Sequence, residues 1–331
     1  MPANLPPQYH AAEDQYRRAR TAAEKLEALE TMMAVIPKHK GTEHLRGELR
    51  SRMARLSQDA ERQAGARGGA SVYEVKKEGA GQVAVVGLTN SGKSALVAAL
   101  TGAPAKVGDY PFTTQLPFPA MMPFENAQVQ LVDLPPFVPE ATPPWLRALP
   151  RRADLALLVL DLGGDPLSDW VTLQRELGQA RVLPHPPELP GSLAEGDPRV
   201  PVKALIVANK RDTPDAPLAR ELLEMEVDGQ LPILAVSAAT GQGLAELRER
   251  IWQALEVVRV YPKPPGKPVD RTRPFVLHRG ATVDDLADQI HRDLRNQMRY
   301  ALLWGASGRF AGQRVGHQHV LEDEDVVELY S

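Results

Sequence analysis

The spacing of apolar residues predicts a helical hairpin in the first part of the chain. Between residues 11 and 64, apolar residues recur at intervals of three and four in two series, separated by the segment PKHKGT. The two series are Leu26, Leu29, Met33, Ile36 and then Leu45, Leu49, Met53, Leu56. We expect Pro37 to end the first helix and Thr42 to cap the second. The following QAGARGGAS is predicted to be a flexible linker.

From residue 82 onward, short apolar runs alternate with helical patterns. The runs are QVAVVG, AQVQLVDL, DLALLVLDL, VKALIVANK and PILAVSA. Near-continuous Val, Leu and Ile runs are typical of strands buried on both faces, so they predict a mostly parallel sheet with helices on either side. The pattern GLAELRERIWQALEVV predicts the closing helix. The segment VLPHPPELPGSLAEGDPRVP is so rich in proline that it predicts a long surface loop.

The pattern changes again after the proline-rich segment YPKPPGKPVDRTRP. A strand in FVLH is followed by Thr282 and Asp285, spaced as a capping box, and then by a helix. Further strands in ALLWG and DVVELY complete a small mixed sheet wrapped on one helix. We therefore predict three domains, at residues 1–80, 81–256 and 257–331.

Composition narrows the possible functions. The chain contains no cysteine, which excludes disulfides, Cys-ligated zinc and a thiol nucleophile. No apolar run approaches the roughly 18 residues needed to span a bilayer, so we expect a cytoplasmic protein without membrane contact. The net charge of −3 predicts no general affinity for nucleic acid. Residues 15–67, however, hold twelve Lys/Arg against seven Asp/Glu; this is either a solvated helix face or a contact for RNA or a protein partner.

The strongest chemical pattern is Gly87-x4-Gly92-Lys93-Ser94, placed between a predicted strand and a predicted helix. Glycines let such a loop fold back so that its N–H groups and the helix N-terminus face phosphate. We expect Lys93 to reach the β- and γ-phosphates and Ser94 to bind Mg²⁺. The residues expected to surround the phosphates are Gly87, Leu88, Thr89, Asn90, Ser91, Gly92, Lys93 and Ser94.

A second pattern, NKRD, predicts which base is bound. The carboxylate of Asp212 can accept hydrogen bonds from N1–H and the exocyclic amine of guanine, whereas adenine offers neither donor there, which disfavours an ATP-dependent kinase. We expect Asn209 to hold the guanine edge and the Lys210 stem to cover the ring. Ser237 and Ala238, in SAATG after the next strand, are expected to complete the base pocket.

Two further positions are candidates for the metal. In VGDYPFTTQLP, Thr114 is the preferred Mg²⁺ ligand, with Thr113 as the alternative, unless the segment is a plain turn. We expect Lys93 and Thr114 to serve catalysis. Asp133 is expected to hold a metal-bound water, although an ordinary carboxylate at a strand end would show the same pattern.

In this order, the motifs GLTNSGKSALVAALTGAPAKVGDYPFTT, DLP, NKRD and SAATG resemble the GTPase domain of the Obg-like group. The flanks PKHKGTEHLRGELRSRMARL and YALLWGASGRFAGQRVGHQHVLEDEDVVEL resemble the N-terminal helices and C-terminal TGS domain of developmentally regulated GTP-binding proteins. The resemblance implies an α/β P-loop GTPase domain and a ubiquitin-like (β-grasp) TGS domain. It also implies binding of GTP or GDP with Mg²⁺, slow hydrolysis, and association with ribosomes or RNA.

The chain departs from this family in three ways. Pro136 replaces the glycine whose N–H contacts the γ-phosphate, and the hydrophobic Phe137 follows it, so we expect a blunted switch and slow turnover. A domain that the family inserts after this switch is absent. Asn90 stands where related GTPases bind K⁺, so K⁺ dependence is a further expectation. The open alternative to a slow GTPase is a nucleotide-binding scaffold without meaningful turnover, acting as an RNA- or protein-interaction module.

Overall fold

The computed structural model describes residues 7–18, 22–36, 45, 47–49, 51–53, 75–103, 116–139, 141–189, 191 and 196–330. The chain divides into two compact units, Met1–Glu74 and Val75–Ser331. Thr42 and the predicted linker QAGARGGAS lie outside the described residues. None of the described helices is long and apolar enough to cross a membrane.

The described residues of the first unit are helical except Ile36, which follows the second helix. Helix α1 spans Pro7–Arg18 and helix α2 spans Ala22–Val35, so the first predicted arm consists of two helices. Residues 45, 47–49 and 51–53 are also helical, as the second series of apolar residues predicted. The unit has its own apolar core, whose fully buried members are Tyr9, Ala12, Leu29, Met32, Ile36 and Leu49.

A seven-stranded sheet organises the first half of the second unit. Its order is β2-β3-β1-β4-β6-β5, and β7 also pairs with β6. The hairpin of β2 and β3 is antiparallel and every other pairing is parallel, which confirms the predicted mostly parallel sheet. The strands are β1 Gln82–Gly87, β2 Phe118–Phe124, β3 Ala127–Asp133, β4 Leu155–Asp161, β5 Val182–His185, β6 Val200–Asn209 and β7 Ile233–Ala235.

Helices cover both faces of this sheet, because the inner residues of its central strands are apolar on both sides. In β1, Val83 and Val85 enter the core that contains Leu247, while Ala84 and Val86 enter the opposite core, which contains Trp170. The helices are α3 Lys93–Thr101, α4 Pro144–Ala148, α5 Pro166–Gln179, α6 Ala216–Val227 and α7 Leu244–Leu255, with a 3₁₀ turn at Pro150–Arg152.

A second sheet of five strands follows, in the order β11-β10-β12-β8-β9. It packs on helix α8 through a core that includes Val260, Leu286 and Val327, which confirms the predicted mixed sheet wrapped on a helix. At the start of α8 the carboxylate of Asp285 accepts from the backbone N–H of Thr282 at 2.7 Å. The elements are β8 Val257–Pro262, β9 Phe275–His278, α8 Val283–Ile290, α9 Arg292–Gln297, β10 Tyr300–Trp304, β11 Gln313–Val315 and β12 Asp325–Tyr330.

Three sequence predictions of secondary structure need correction. The helix predicted over GLAELRERIWQALEVV ends at Leu255, and its last two valines begin β8. The proline-rich segment predicted as a loop begins with strand β5. Because β5 lies at the sheet edge and pairs only with β6, the N–H that Pro184 lacks is not needed for a bond to another strand. Strand β2 was not predicted, because Pro119 and Pro123 interrupt its apolar pattern, and it too lies at an edge.

The turn between β2 and β3 is joined to the five-stranded sheet. The guanidinium of Arg259, on β8, donates to the carboxylates of Glu125 and Asp323 and lies 5.6 Å from the ring centroid of Trp252. The side-chain amide of Asn126 donates to the hydroxyl of Tyr261 at 2.6 Å. The hairpin that ends at Asp133 is therefore fixed at its far end by the C-terminal sheet.

Candidate nucleotide-binding site

The loop between β1 and α3 depends on glycine at two positions. Gly92 precedes α3 with φ 87°, and a Cβ there would lie 2.2 Å from the side-chain nitrogen of Asn209. A Cβ on Gly87 would lie 2.6 Å from the carbonyl oxygen of Val159. Real Cβ atoms do not approach other atoms so closely, so both positions require glycine. The loop between these two glycines leads directly into the N-terminus of α3. A glycine loop followed by a helix N-terminus is an arrangement that favours phosphate binding.

Lys93 begins α3 and is almost completely buried, with 7% of its surface exposed. Its ammonium group donates to the carbonyl oxygen of Leu88 at 2.7 Å, so the side chain folds over the loop. Burial lowers the pKa of Lys93 from 10.5 to about 8, against the opposing attraction of Asp133. A cation held in this way lacks full hydration, so added negative charge from a phosphate would stabilise its protonated form.

Ser94 and Asp133 form a pair of oxygen donors beside the loop. The Ser94 hydroxyl donates to the Asp133 carboxylate at 2.5 Å. The second carboxylate oxygen of Asp133 is buried and has no hydrogen-bond partner among the described residues. Burial raises the pKa of Asp133, while Ser94 and Lys93 act in the opposite direction. A hydroxyl and a carboxylate with a spare oxygen are the ligand types that Mg²⁺ prefers, so these residues fit the ion.

The segment after Asp133 is bound to the sheet. The backbone N–H groups of Leu134 and Phe137 donate to the carbonyl oxygens of Val85 and Gly87, at 3.2 and 3.1 Å. The Phe137 ring is fully buried in the core that contains Trp170. Two consecutive prolines at 135 and 136 precede this ring and fix φ there. The segment is therefore fastened to the phosphate loop by its backbone and to the core by its side chain.

Asn209, at the end of β6, joins two loops. Its side-chain amide donates to the carbonyl oxygen of Ser91 at 3.1 Å and accepts from the backbone N–H of Ala238 at 3.1 Å. The side chain is 2% exposed. One buried amide therefore sets the distance between the phosphate loop and the segment that contains Ser237 and Ala238.

Asp161 is a site residue that sequence reasoning missed. Its carboxylate accepts from the ammonium group of Lys210 at 2.5 Å and from the N–H of Gly163 at 2.8 Å. Asp161 lies opposite Asn209 in the register of β4 and β6, so both residues lie at the same edge of the sheet. The apolar run DLALLVLDL, which ends in this aspartate, could have indicated it. The ion pair holds the Lys210 stem in place, and the Lys210 backbone has a positive φ of 63°.

Asp212 lies at the surface of the same edge. The hydroxyl of Ser237 and backbone hydrogen bonds hold the pKa of Asp212 below its usual value, so it is a carboxylate at neutral pH. Ser237 itself is fully buried and accepts from the N–H of Thr240 at 3.0 Å. The exposed carboxylate of Asp212 is therefore held in position by the buried side chain of Ser237.

The carboxyl ends of four parallel strands bring most of the predicted site residues to one edge of the sheet. Thr89 and Asn90 are exposed at the tip of the phosphate loop, and Asn90 has a φ of 65°. Thr113 and Thr114 lie outside the described residues. The residues gathered at this edge are Gly87–Ser94, Asp133, Asn209, Lys210, Asp212, Ser237 and Ala238.

Comparison with known families identifies two parts of the chain. Residues 82–184 match the family described as 50S ribosome-binding GTPase. Residues 258–331 match the TGS domain family. The first match contains the phosphate loop and Asp133, and the second contains the five-stranded sheet from its β8 strand onward.

Three relatives are similar to this chain over most of their length. An uncharacterised GTP-binding protein of Halobacterium salinarum is 31% identical, over 92% of this chain and 98% of its own length. Developmentally-regulated G-protein 2 of Arabidopsis thaliana is 30% identical, over 92% and 90%. Ribosome-interacting GTPase 1 of Saccharomyces cerevisiae is 29% identical, over 93% and 98%.

Among solved structures, the crystal structure of a GTP-binding protein from Pyrococcus horikoshii has the same fold. It superposes with a TM-score of 0.51 and 19% identity, over 76% of this chain and 99% of that one. The motifs, the sheet edge that gathers them and the full-length similarity agree. The chain belongs to the family of developmentally regulated GTP-binding proteins, with a P-loop GTPase domain and a C-terminal TGS domain.

Proposed function

We propose that the protein binds GTP and GDP with Mg²⁺ and hydrolyses GTP slowly, with a switch that moves little between nucleotide states. The observation that carries this proposal is the double attachment of Phe137, through its N–H to Gly87 and through its ring to the core. The phosphate loop and the base-recognition residues are complete, so binding does not depend on that segment.

Each predicted residue has a role in this proposal. The loop N–H groups from Gly87 to Gly92 hold the phosphates, and Lys93 exchanges its bond to Leu88 for one to phosphate. Ser94 and Thr114 are the proposed Mg²⁺ ligands, and Asp133 orients them or a bound water. Bound Mg²⁺ supplies positive charge that stabilises the phosphate oxygens. At the base, Asp212 selects guanine, while Asn209 and Lys210 hold the walls of its pocket with Ser237 and Ala238.

The slow rate follows from two side chains. Pro136 has no N–H, so the switch segment forfeits a charge-assisted hydrogen bond to the γ-phosphate, worth about 1–3 kcal/mol. Phe137 occupies the position at which some GTPases use a glutamine to orient water, and its buried ring offers no hydrogen bond. Water is then positioned by backbone groups, by K⁺ near Asn90, or by a partner.

Nucleotide exchange and turnover assays test this proposal directly. Purified protein is titrated with fluorescently labelled GTP, GDP and ATP, and phosphate release is measured in K⁺ and in Na⁺ buffer. We expect selective guanine binding, slow release, and faster release in K⁺. Failure to bind guanine nucleotides would refute the whole proposal, and fast turnover in both buffers would refute the blunted switch.

Substitutions separate a slow enzyme from a scaffold without turnover. Pro136→Gly restores a backbone N–H, and we expect it to increase the difference in affinity between GTP and GDP. Lys93→Ala should abolish turnover. Lys267→Ala, at an exposed lysine remote in sequence from every site motif, is the matched control. If wild-type turnover equals that of Lys93→Ala, the scaffold alternative is correct.

The cellular role is proposed to lie in ribosome-associated regulation of translation in the cytoplasm. A relative is named as a ribosome-interacting GTPase, and the proposed contacts are the TGS domain and the basic N-terminal helices. Co-sedimentation with ribosomes, using GTP-loaded, GDP-loaded and empty protein, tests this role. Equal pelleting in all three states would support a scaffold, and pelleting in none would exclude stable ribosome binding.

A further inference from the structure

Helix α6 carries an apolar stripe on its outer surface. Leu218, Leu222 and Met225 are spaced by four and three residues, so they lie on one face of the helix. They are 61%, 42% and 70% exposed, respectively. Large apolar side chains exposed singly are common, but three on one face of a twelve-residue helix form a contiguous patch.

The stripe is not needed for folding the helix against its own domain. The opposite face supplies the buried contacts, through Ala216, Leu223 and Val227. These three residues belong to the core on one side of the seven-stranded sheet. Helix α6 is therefore apolar on two faces, and only one of them has a partner among the described residues.

Acidic residues border the stripe on both sides. Asp215 and Glu226 lie three or four positions from Leu218 and Leu222, and Glu221 and Asp228 lie three or four positions from Met225. Within the described part of the chain, none of these four carboxylates forms an ion pair, and all four residues are exposed. Arg220, the single basic residue between 215 and 228, is paired with Glu224 at 2.7 Å.

A groove lies on a neighbouring side of α6, next to the acidic border at Glu221. It has a volume of about 410 Å³, and its charged lining is mixed, with Glu221 and Glu224 together with Arg211 and Arg220. Arg211 stands between Lys210 and Asp212 in the base-recognition motif. The groove therefore lies between α6 and the base-recognition motif, and the proposed docking face is the apolar stripe beside it.

We propose that this outer face of α6 is a docking surface for a basic amphipathic helix of a protein partner. Leucine and methionine side chains adapt to an apolar helix face, and the unpaired carboxylates complement lysine or arginine along both of its borders. The same carboxylates would repel nucleic acid and anionic lipid, which disfavours both as occupants. This inference goes beyond the proposed GTPase activity and does not depend on it.

The test uses a fluorescent synthetic peptide of about twenty residues, long enough to form a helix, with leucines on one face and lysines beside them. A twin peptide carries glutamate in place of lysine. By fluorescence anisotropy with the full chain, we expect the lysine peptide to bind and the glutamate peptide not to bind. Added salt should weaken the binding, because the flanking charges are exposed.

Three variants locate the binding face. Replacing Leu218, Leu222 and Met225 by glutamine should weaken binding by about tenfold or more. Glu221→Lys with Glu226→Lys should weaken it while leaving the apolar stripe intact. Val171→Gln, at a valine on α5 that is 56% exposed, is the matched control and should bind as the wild type does. Circular dichroism shows that each variant is folded.

Four results would overturn the proposal. These are no binding of the lysine peptide, equal binding of the two peptides, unchanged binding by the triple glutamine variant, or unchanged binding by the charge-reversed variant. Sedimentation velocity adds a fifth. If the wild type self-associates and the triple variant is monomeric, the occupant is a second copy of the chain and the basic-helix proposal is wrong.

Discussion

Replacement of Lys93 by methionine is expected to stabilise the nucleotide-free protein while weakening nucleotide binding. Burial lowers the pKa of Lys93 from 10.5 to about 8. One pKa unit corresponds to about 1.4 kcal/mol, so keeping this side chain protonated at neutral pH costs the folded state about 3 kcal/mol. Methionine has a similar length and carries no charge, so it fills the same space without that cost.

The expected gain is smaller than the cost removed. Lys93→Met also loses the 2.7 Å hydrogen bond to the Leu88 carbonyl oxygen, and one such bond contributes about 1 kcal/mol. The net expectation is a variant about 2 kcal/mol more stable than the wild type at neutral pH.

The difference should also depend on pH in a defined direction. Between pH 8 and 10.5 the unfolded wild type binds more protons at Lys93 than the folded form does. The contribution of this group to the free energy of unfolding therefore rises with pH in that window, and its unfavourable effect is complete below pH 8. The advantage of Lys93→Met should shrink as the pH rises from 8 towards 10.5.

Urea unfolding of nucleotide-free protein at neutral and alkaline pH measures both effects. Lys267→Met is the control for loss of an exposed lysine, and labelled GDP reports the expected loss of affinity in Lys93→Met. A variant that is less stable than the wild type at neutral pH, or a difference that stays constant with pH, would refute the reasoning.

Three further changes have expected outcomes. Phe137→Ala should lower the free energy of unfolding by about 3–5 kcal/mol, since the ring is fully buried, while guanine binding persists; urea unfolding with and without GDP checks this, and a loss below about 1 kcal/mol would contradict the attachment of the switch. Because burial raises the pKa of Asp133, Mg²⁺-dependent GTP affinity should fall as the pH is lowered from neutral, sooner than for an ordinary aspartate; magnesium titrations at several pH values would contradict this if they were flat. Arg259→Met should cost about 1–2 kcal/mol, because its carboxylate partners are largely exposed and screened; unchanged urea unfolding would show that this contact adds no stability.

Much of the nucleotide site could be predicted from the sequence, because each of its motifs is short and follows directly on a strand. Gly87–Ser94 and the NKRD motif are local patterns whose place at the sheet edge follows from parallel pairing. The hydrogen bonds that connect one motif to another could not be predicted. Asn209 and Ser91 are 118 residues apart, and a buried asparagine at a strand end does not indicate which carbonyl it contacts.

Strands β2 and β5 and the position of Phe137 could not be predicted for a different reason. Pro119 and Pro184 are incompatible with central strands, and only the final sheet order shows that both lie at edges, where proline is tolerated. The direction in which the Phe137 side chain points depends on the space between the sheet and α4, and no local sequence pattern describes that space. The role of Thr114 as a Mg²⁺ ligand and the three domain boundaries remain predictions.

The contact between the β2–β3 turn and the C-terminal sheet also has a consequence for folding during synthesis. Glu125 and Arg259 are separated by 134 residues. At about 5–20 residues per second, the turn is completed roughly 7 to 27 seconds before its partner strand is made. Glu125 and Asn126 are polar and are solvated without cost during that interval. Their partners Arg259 and Tyr261 are made late, and a chain that stops before β8 would leave Trp252 without the cation that lies over its ring.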